Sequence, residues 1–408
     1  MKNRSNGTIA TEGTKIWKAS AFQAELSDVS VVFKLEWREK GSQTSWEDAI
    51  DENGNPITQT LTGFHAEMLS GVSFDRNVSR YNAFGKEMEY RWVESAVYQG
   101  GDTENNLFVQ DLNGSGNGSF TLVQDGRTIT YGSTVVTSAA GQEPVTTTIT
   151  NSLRNTIEYD VIKKWEDGRT PEQIQMNLYR TISGEELGEP LITFQMDKNG
   201  KLISGSVNMD ATQLASWETI KCDEVDDWHA LLSGLSEYDE DGRQYEYVLL
   251  EDVSNGAYVP IYETERITTP GADYGNYITT VINPVGEGHR VMVRKDWIDD
   301  SDTLHREAVT FTVYVKKTDK PVNGTIENSS ITLENGIWYD YIGIGDYTPD
   351  QVYILETRVG GQDLTWDEEG KRTVSEYAHE PVTYEPQNYN PNNTNYEVTS
   401  KAKNITGS

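Results

Sequence analysis

A single cysteine, Cys222, leaves this chain without an internal disulfide framework and without a cysteine-based metal site. The five histidines supply no pair at metal-ligand spacing. Positive charge is also scarce. There are 34 Lys and Arg against 65 Asp and Glu, a formal net charge of -31. Nucleic acid is excluded as a partner, because nothing would neutralise its phosphates. Docking on anionic lipid is excluded on the same ground, and an acidic surface mainly keeps a protein soluble. No apolar run approaches the about 20 residues that cross a bilayer. Neither a secretory leader nor a sorting sequence is recognisable. The chain reads as cytoplasmic or as a segment cut from a longer secreted protein, and its repeats favour the segment. An extracellular chain this poor in cysteine needs another kind of cross-link.

What is present is aromatic and β-branched. The 22 Tyr and 10 Trp, with abundant Thr and Val, favour strands. A length of 408 residues is too long for one ordinary core and sets two or three domains as the expectation. A repeat supports three. The pattern Lys-X-Trp recurs as Lys15-Ile-Trp17, Lys163-Lys-Trp165 and Lys295-Asp-Trp297. Strand-like runs then end at Glu94, Glu251 and Glu356, and Thr- and Val-rich closing runs carry Asn151, Asn283 and Asn404. Period-two alternation follows each Lys-X-Trp: Val29, Val31, Phe33, Leu35 and Trp37; then Ile174, Met176 and Leu178; then Val309, Phe311, Val313 and Val315. One face in and one face out predicts antiparallel sandwiches.

Asp51–Pro56, Asp197–Gly200 and Asp239–Gly242 read as turns, with Asn or Asp near Gly. They do not read as EF-hand loops, because no terminal glutamate follows at the required spacing. Asn113–Ser119 reads as a flexible Gly-rich loop, and residues 210–232, with loosely spaced Leu214, Trp217, Trp228, Leu231 and Leu232, carry the one helical hint. Short polar links after Asn151 and Asn283 place the boundaries at 1–155, 156–286 and 287–408, with a semi-rigid rod as the expected shape.

The pattern resembles the B-type repeat domains of the collagen adhesin Cna, found in Gram-positive surface proteins and pilins. The segment that carries the likeness best is Leu235–Tyr245 running into Tyr247-Val-Leu-Leu-Glu251. Gly85–Tyr90 followed by Arg91-Trp-Val-Glu94 matches in the first repeat, and Gln351–Glu356 in the third. The resemblance implies an all-β chain of three tandem reversed-immunoglobulin sandwiches. It also implies an internal isopeptide bond in each, from a lysine on the first strand to an asparagine on the last, promoted by a buried glutamate. The implied sets are Lys15, Glu94 and Asn151; Lys163, Glu251 and Asn283; Lys295, Glu356 and Asn404. In the third, Ser400–Lys403 precedes Asn404 in place of a β-branched run, and Asn395 is the other candidate.

The chemistry needs these residue types. Burial disfavours an ammonium and frees the amine lone pair. A neutral carboxylic acid, also favoured by burial, can polarise a carboxamide and pass protons to departing ammonia. The fold supplies proximity. Neighbours along a strand face opposite ways, so Lys163 shares a face with Trp165 and Lys164 points away, as Lys18 does from Lys15 and Trp17. No cofactor is called for, and the reaction is a single self-modification rather than turnover. The implied function is the stalk of a Gram-positive cell-surface adhesin or pilus-like protein, a monomer whose partners are neighbouring domains or an unidentified host ligand. The rival expectation is binding of host protein or glycan, most of all through the first repeat. A hydrolytic enzyme is the weakest reading, since no nucleophile motif accompanies the acidic residues.

Overall fold

The computed structural model describes residues 7–22, 26–124, 126–139, 141–166, 171–183, 185, 187–252, 260–283, 289–298, 306–363, 372–374, 377–379, 383–387 and 397–404. The fold class is all-β. Among the described residues the α-helical content is one turn, Ala66–Leu69. The chain separates into two compact units, residues 1–155 with 238–242, and residues 156–237 with 243–408.

Among the described residues six sheets form, and each stays within one of the ranges 8–153, 156–283 and 289–404. In the first range one sheet carries, side by side, Val72–Ser79, Thr8–Lys18, Val145–Leu153, Arg127–Thr137 and Gly118–Gln124. Facing it is a sheet in which Val29–Glu39 pairs with Thr58–Thr62 and Met88–Gln99. In the second range the order is Lys221–Asp226, His229–Ser236, Thr156–Trp165, Tyr277–Asn283, Ile261–Arg266. Its opposing sheet runs Leu202–Val207, Ile192–Asp197, Gln173–Ile182, Tyr245–Glu251. In the third, His289–Ile298 lies between Tyr339–Gly345 and Glu397–Asn404, and Val309–Val315 pairs with Val352–Val359 in the other sheet.

One feature recurs in all three. The opening strand (Thr8–Lys18, Thr156–Trp165, His289–Ile298) pairs in parallel with the closing strand (Val145–Leu153, Tyr277–Asn283, Glu397–Asn404). A parallel pair cannot be joined by a hairpin. Here the rest of the sandwich is the crossover, so residues far apart in sequence become neighbours.

The alternating residues form the cores. Val31, Phe33 and Leu35, then Ile174, Met176 and Leu178, then Val309, Phe311 and Val313 are buried, each side chain contributing about 1.5–3 kcal/mol. The helical hint at 210–232 is not realised. Residues 221–226 and 229–236 are antiparallel strands, and Trp228 sits in the turn between them at a φ of 64°, which ends any helical run. Asn113–Ser119 is a tightly bonded turn rather than a loose loop. Asn117 Oδ1 accepts from Val135 N at 2.9 Å, and Arg91 Nη1 donates to Ser115 O at 2.7 Å.

Candidate cross-linking sites

The first site lies between the sheets of the first sandwich. Register pairs Lys15 with Ile149 and Trp17 with Asn151, so lysine and asparagine come from adjacent parallel strands. Glu94 reaches them from the facing sheet, on the strand Met88–Gln99. Lys15, Glu94 and Asn151 are each 0% exposed. Lys15 Nζ is 2.8 Å from Glu94 Oε1, and Asn151 Nδ2 donates to the same oxygen at 2.9 Å. Lys15 Nζ also stands 4.6 Å from the centroid of Trp17, whose ring packs edge-on against Phe64 and Tyr131. Burial lowers the Lys15 pKa to about 8, against the opposing pull of the Glu94 charge.

The second site repeats this arrangement. Lys163 pairs with Val281 and Trp165 with Asn283. Lys163 Nζ is 2.9 Å from Glu251 Oε2, and Asn283 Nδ2 donates to Glu251 Oε1 at 3.1 Å. All three residues are buried, and Lys164 is exposed. Lys163 Nζ stands 4.5 Å from the Trp165 centroid. Burial again lowers the lysine pKa to about 8, with Glu251 opposing it.

The third site shows the same pair. Lys295 Nζ donates to Glu356 Oε2 at 2.8 Å, both groups are buried, and Trp297 lies 5.0 Å from the amine. Its closing strand differs in register. Ala402 occupies the place opposite Trp297 that Asn151 and Asn283 occupy opposite Trp17 and Trp165. Asn404 lies two residues further on, about 6.6 Å along the strand. Its side chain lies outside the described ones, and Asn395 lies outside the described residues.

Two supporting features were not foreseen from the sequence. The first is a bulge at the glutamate. Glu94 pairs with Phe33 and Ala96 with Val32, leaving Ser95 as the extra residue; Glu356 pairs with Phe311 and Arg358 with Thr310, leaving Thr357. The extra residue's hydroxyl bonds the same carbonyl in each case, Ser95 to Val32 O at 3.1 Å and Thr357 to Thr310 O at 3.2 Å. A bulge re-aims the adjacent side chain, here the carboxyl group. A hydroxyl directly after the glutamate is the signal that sequence carried. The second is another tryptophan. Lys163 N donates to Trp228 O at 2.9 Å and Lys295 N to Trp338 O at 2.7 Å. The rings of Trp228 and Trp338 pack edge-on against Trp165 and Trp297. Each immediately precedes the antiparallel neighbour of its opening strand.

Asn151 Oδ1, Asn283 Oδ1 and Glu94 Oε2 are buried without a hydrogen-bond partner. Such atoms cost about 1–3 kcal/mol each if left so. Rotating the carboxamide by half a turn about Cβ–Cγ exchanges Oδ1 and Nδ2. That orientation would set Oδ1, in place of Nδ2, against the Glu94 carboxyl group.

The chain is similar in structure to tandem Cna B repeats. Two B repeat units of the collagen binding protein Cna of Staphylococcus aureus match with a TM-score of 0.28 and 14% identity, covering 98% of this chain and 100% of that one. The major pilin T-13 of Streptococcus pyogenes matches with a TM-score of 0.21 and 12% identity, over 68% of this chain and 97% of that one. BcpA, the major pilin subunit of Bacillus cereus, matches with a TM-score of 0.18 and 11% identity, over 98% and 100%. No family model matches the sequence, and no curated protein does.

Proposed function

We propose that this chain is a load-bearing stalk segment of a bacterial cell-surface adhesin or pilus-like protein, built from three domains at 1–155, 156–286 and 287–408 and closed by self-formed isopeptide bonds. The observation that carries the reading is a buried glutamate that touches both a buried lysine and a buried asparagine from adjacent strands, found once in each of the first two sandwiches. Lysine on a strand is ordinarily solvated, and burying one at 0% exposure beside a carboxamide has no purpose as a surface ion pair.

The step balances as a transamidation. The amine of Lys15 attacks Cγ of Asn151, a Nζ–Cγ bond forms, the Cγ–Nδ2 bond breaks, and ammonia leaves. Glu94 accepts the proton that Nζ loses and delivers one to the departing nitrogen, ending as it began. Lys163, Glu251 and Asn283 perform the same step. In the third domain Lys295 and Glu356 supply amine and acid, and Asn404 is the acceptor if the two-residue offset is taken up.

The parallel opening and closing strands support the stalk reading. Force applied at the two ends of such a domain shears this pair, and a covalent bond between them lies directly on that path. The rival, a binding module stacking sugars on aromatic rings, has less to stand on. Among the described residues, Phe84 and Tyr347 are the aromatics counted with the exposed large hydrophobics. The tryptophans at 17, 92, 297 and 338 are buried. No helix among the described residues is long and apolar enough to cross a membrane.

The pH dependence of bond formation tests the chemistry. Burial lowers the Lys15 pKa to about 8, so the neutral amine that attacks is largely available from about pH 8 rather than only near the ordinary lysine value. Bond formation in freshly synthesised chain, quenched at intervals and weighed, should not accelerate further above about pH 8. A rate that keeps climbing through pH 8–10, as for a solvated amine, would contradict the proposed activation by burial.

A further inference from the structure

Tyr262 lies outside the Lys–Glu–Asn set yet touches it. The strand Tyr245–Glu251 is at the edge of its sheet, and Glu251 is its last residue. A buried N–H that points outward from such an edge has no ladder partner. The Glu251 N–H is satisfied by the Tyr262 hydroxyl, which accepts at 2.8 Å, and the next N–H, of Asp252, goes to Gln175 O at 2.8 Å. In the first sandwich an outward N–H of the glutamate strand, that of Trp92, is taken by Thr147 Oγ1 at 3.2 Å, from the closing strand itself. The second sandwich uses a long side chain instead, from the strand Ile261–Arg266, where Tyr262 pairs with Val281 two residues before Asn283.

Tyr262 is 4% exposed, within the core cluster of its own sandwich, and another ring packs against it. Tyr341 stacks on it, with centroids 4.9 Å apart and an interplanar angle of 27°. Tyr341 belongs to the strand Tyr339–Gly345, which pairs with the opening strand of the third sandwich. With Tyr339 it is part of the core cluster of the second sandwich. Both sandwiches lie in one compact unit, and Trp297 N donating to Ser183 Oγ at 2.8 Å adds to the same docking.

We propose that Tyr262 is a positioning residue for the Lys163–Asn283 bond, and that its stack on Tyr341 makes formation of that bond depend on docking of the third sandwich. This rests on the cross-linking reading above. The hydroxyl fixes the backbone at Glu251, and so the direction in which its carboxyl group enters the pocket. With Tyr341 absent, one face of Tyr262 is open to water and its rotamer is no longer held. Small losses of alignment are costly in a proximity-driven step.

The test uses the full chain, made by cell-free synthesis and quenched in denaturant at timed intervals. Digestion then reports the branched peptide at Lys163–Asn283 against that at Lys15–Asn151 in the same molecules. Tyr262→Phe keeps the stack and loses the hydroxyl. It should slow the second bond about tenfold relative to the first. Tyr341→Ala should slow it similarly, whereas Tyr341→Phe, which loses a hydroxyl but keeps the ring, should retain the native ratio. A merely structural role would not divide the two phenylalanine variants in this way, and the first bond reports that the chain has folded. An unchanged ratio in Tyr262→Phe would overturn the inference while leaving the cross-linking chemistry standing. A native chain with no branched Lys163–Asn283 peptide would overturn both.

Discussion

Glu94→Gln should leave the first sandwich folded but open. The substitution preserves the side chain's volume in a fully buried pocket, so the core around Phe33, Trp17 and Tyr131 has no reason to collapse. It removes the acid proposed to polarise the Asn151 carboxamide and return a proton to ammonia. Relative to the native chain, and after correction for the substitution, the variant should be heavier by one ammonia, roughly 17 Da. The proposed bond would tie Lys15 to Asn151 and close almost the whole domain into a loop. In the chain-entropy model such a link stabilises the fold by about 5 kcal/mol, an upper-end figure. For a domain of this size that loss lowers the melting temperature by roughly 10–20 °C. Calorimetry should therefore show one transition moving down, with the melting of the rest unchanged. A variant that keeps the full mass deficit would remove Glu94 from the mechanism.

The second large effect is mechanical. Pulled from its ends, the first sandwich would pass load along Thr8–Lys18 as far as Lys15, across the proposed bond to Asn151, and out through the last two residues of Val145–Leu153. Residues 16–150 are then out of the force path and cannot extend. The same holds for residues 164–282 in the second sandwich. Single-molecule stretching of the native chain should show no unfolding step from either. Glu94→Gln should restore one step of roughly 40–45 nm, set by the reach of the released chain. Shear of a parallel strand pair with only hydrogen bonds gives way, whereas a peptide-like bond does not. Full-length steps from both sandwiches in the native chain would place the load elsewhere.

Much of the first two sites was legible before the fold was known. Period-two alternation assigned Lys15 to the face of Trp17 and Lys163 to the face of Trp165, and the structure places both lysines inside. That worked because side-chain parity in a strand is a local property. What failed was non-local. The helical hint at 210–232 rested on the loose spacing of Leu214, Trp217, Trp228, Leu231 and Leu232. The positive φ at Trp228 and the pairing of His229–Ser236 with the opening strand decide that stretch through tertiary contacts. The roles of Trp228 and Trp338 were hidden for the same reason: each touches its lysine only because two strands distant in sequence pair. The register of the third closing strand was equally out of reach. Nothing within Ser400–Asn404 says that Ala402 will lie opposite Trp297. The bulges at Ser95 and Thr357 leave only a hydroxyl after the glutamate as their trace, too common a dipeptide to stand out.

The intact mass of the purified chain tests the central claim most directly. Each bond removes one ammonia, roughly 17 Da. A deficit of two, roughly 34 Da, is expected from Lys15–Asn151 and Lys163–Asn283, and a third if Lys295 reaches Asn404. Digestion should then locate branched peptides at those residues. A mass equal to that of the sequence would show that no bond forms, and would contradict the account.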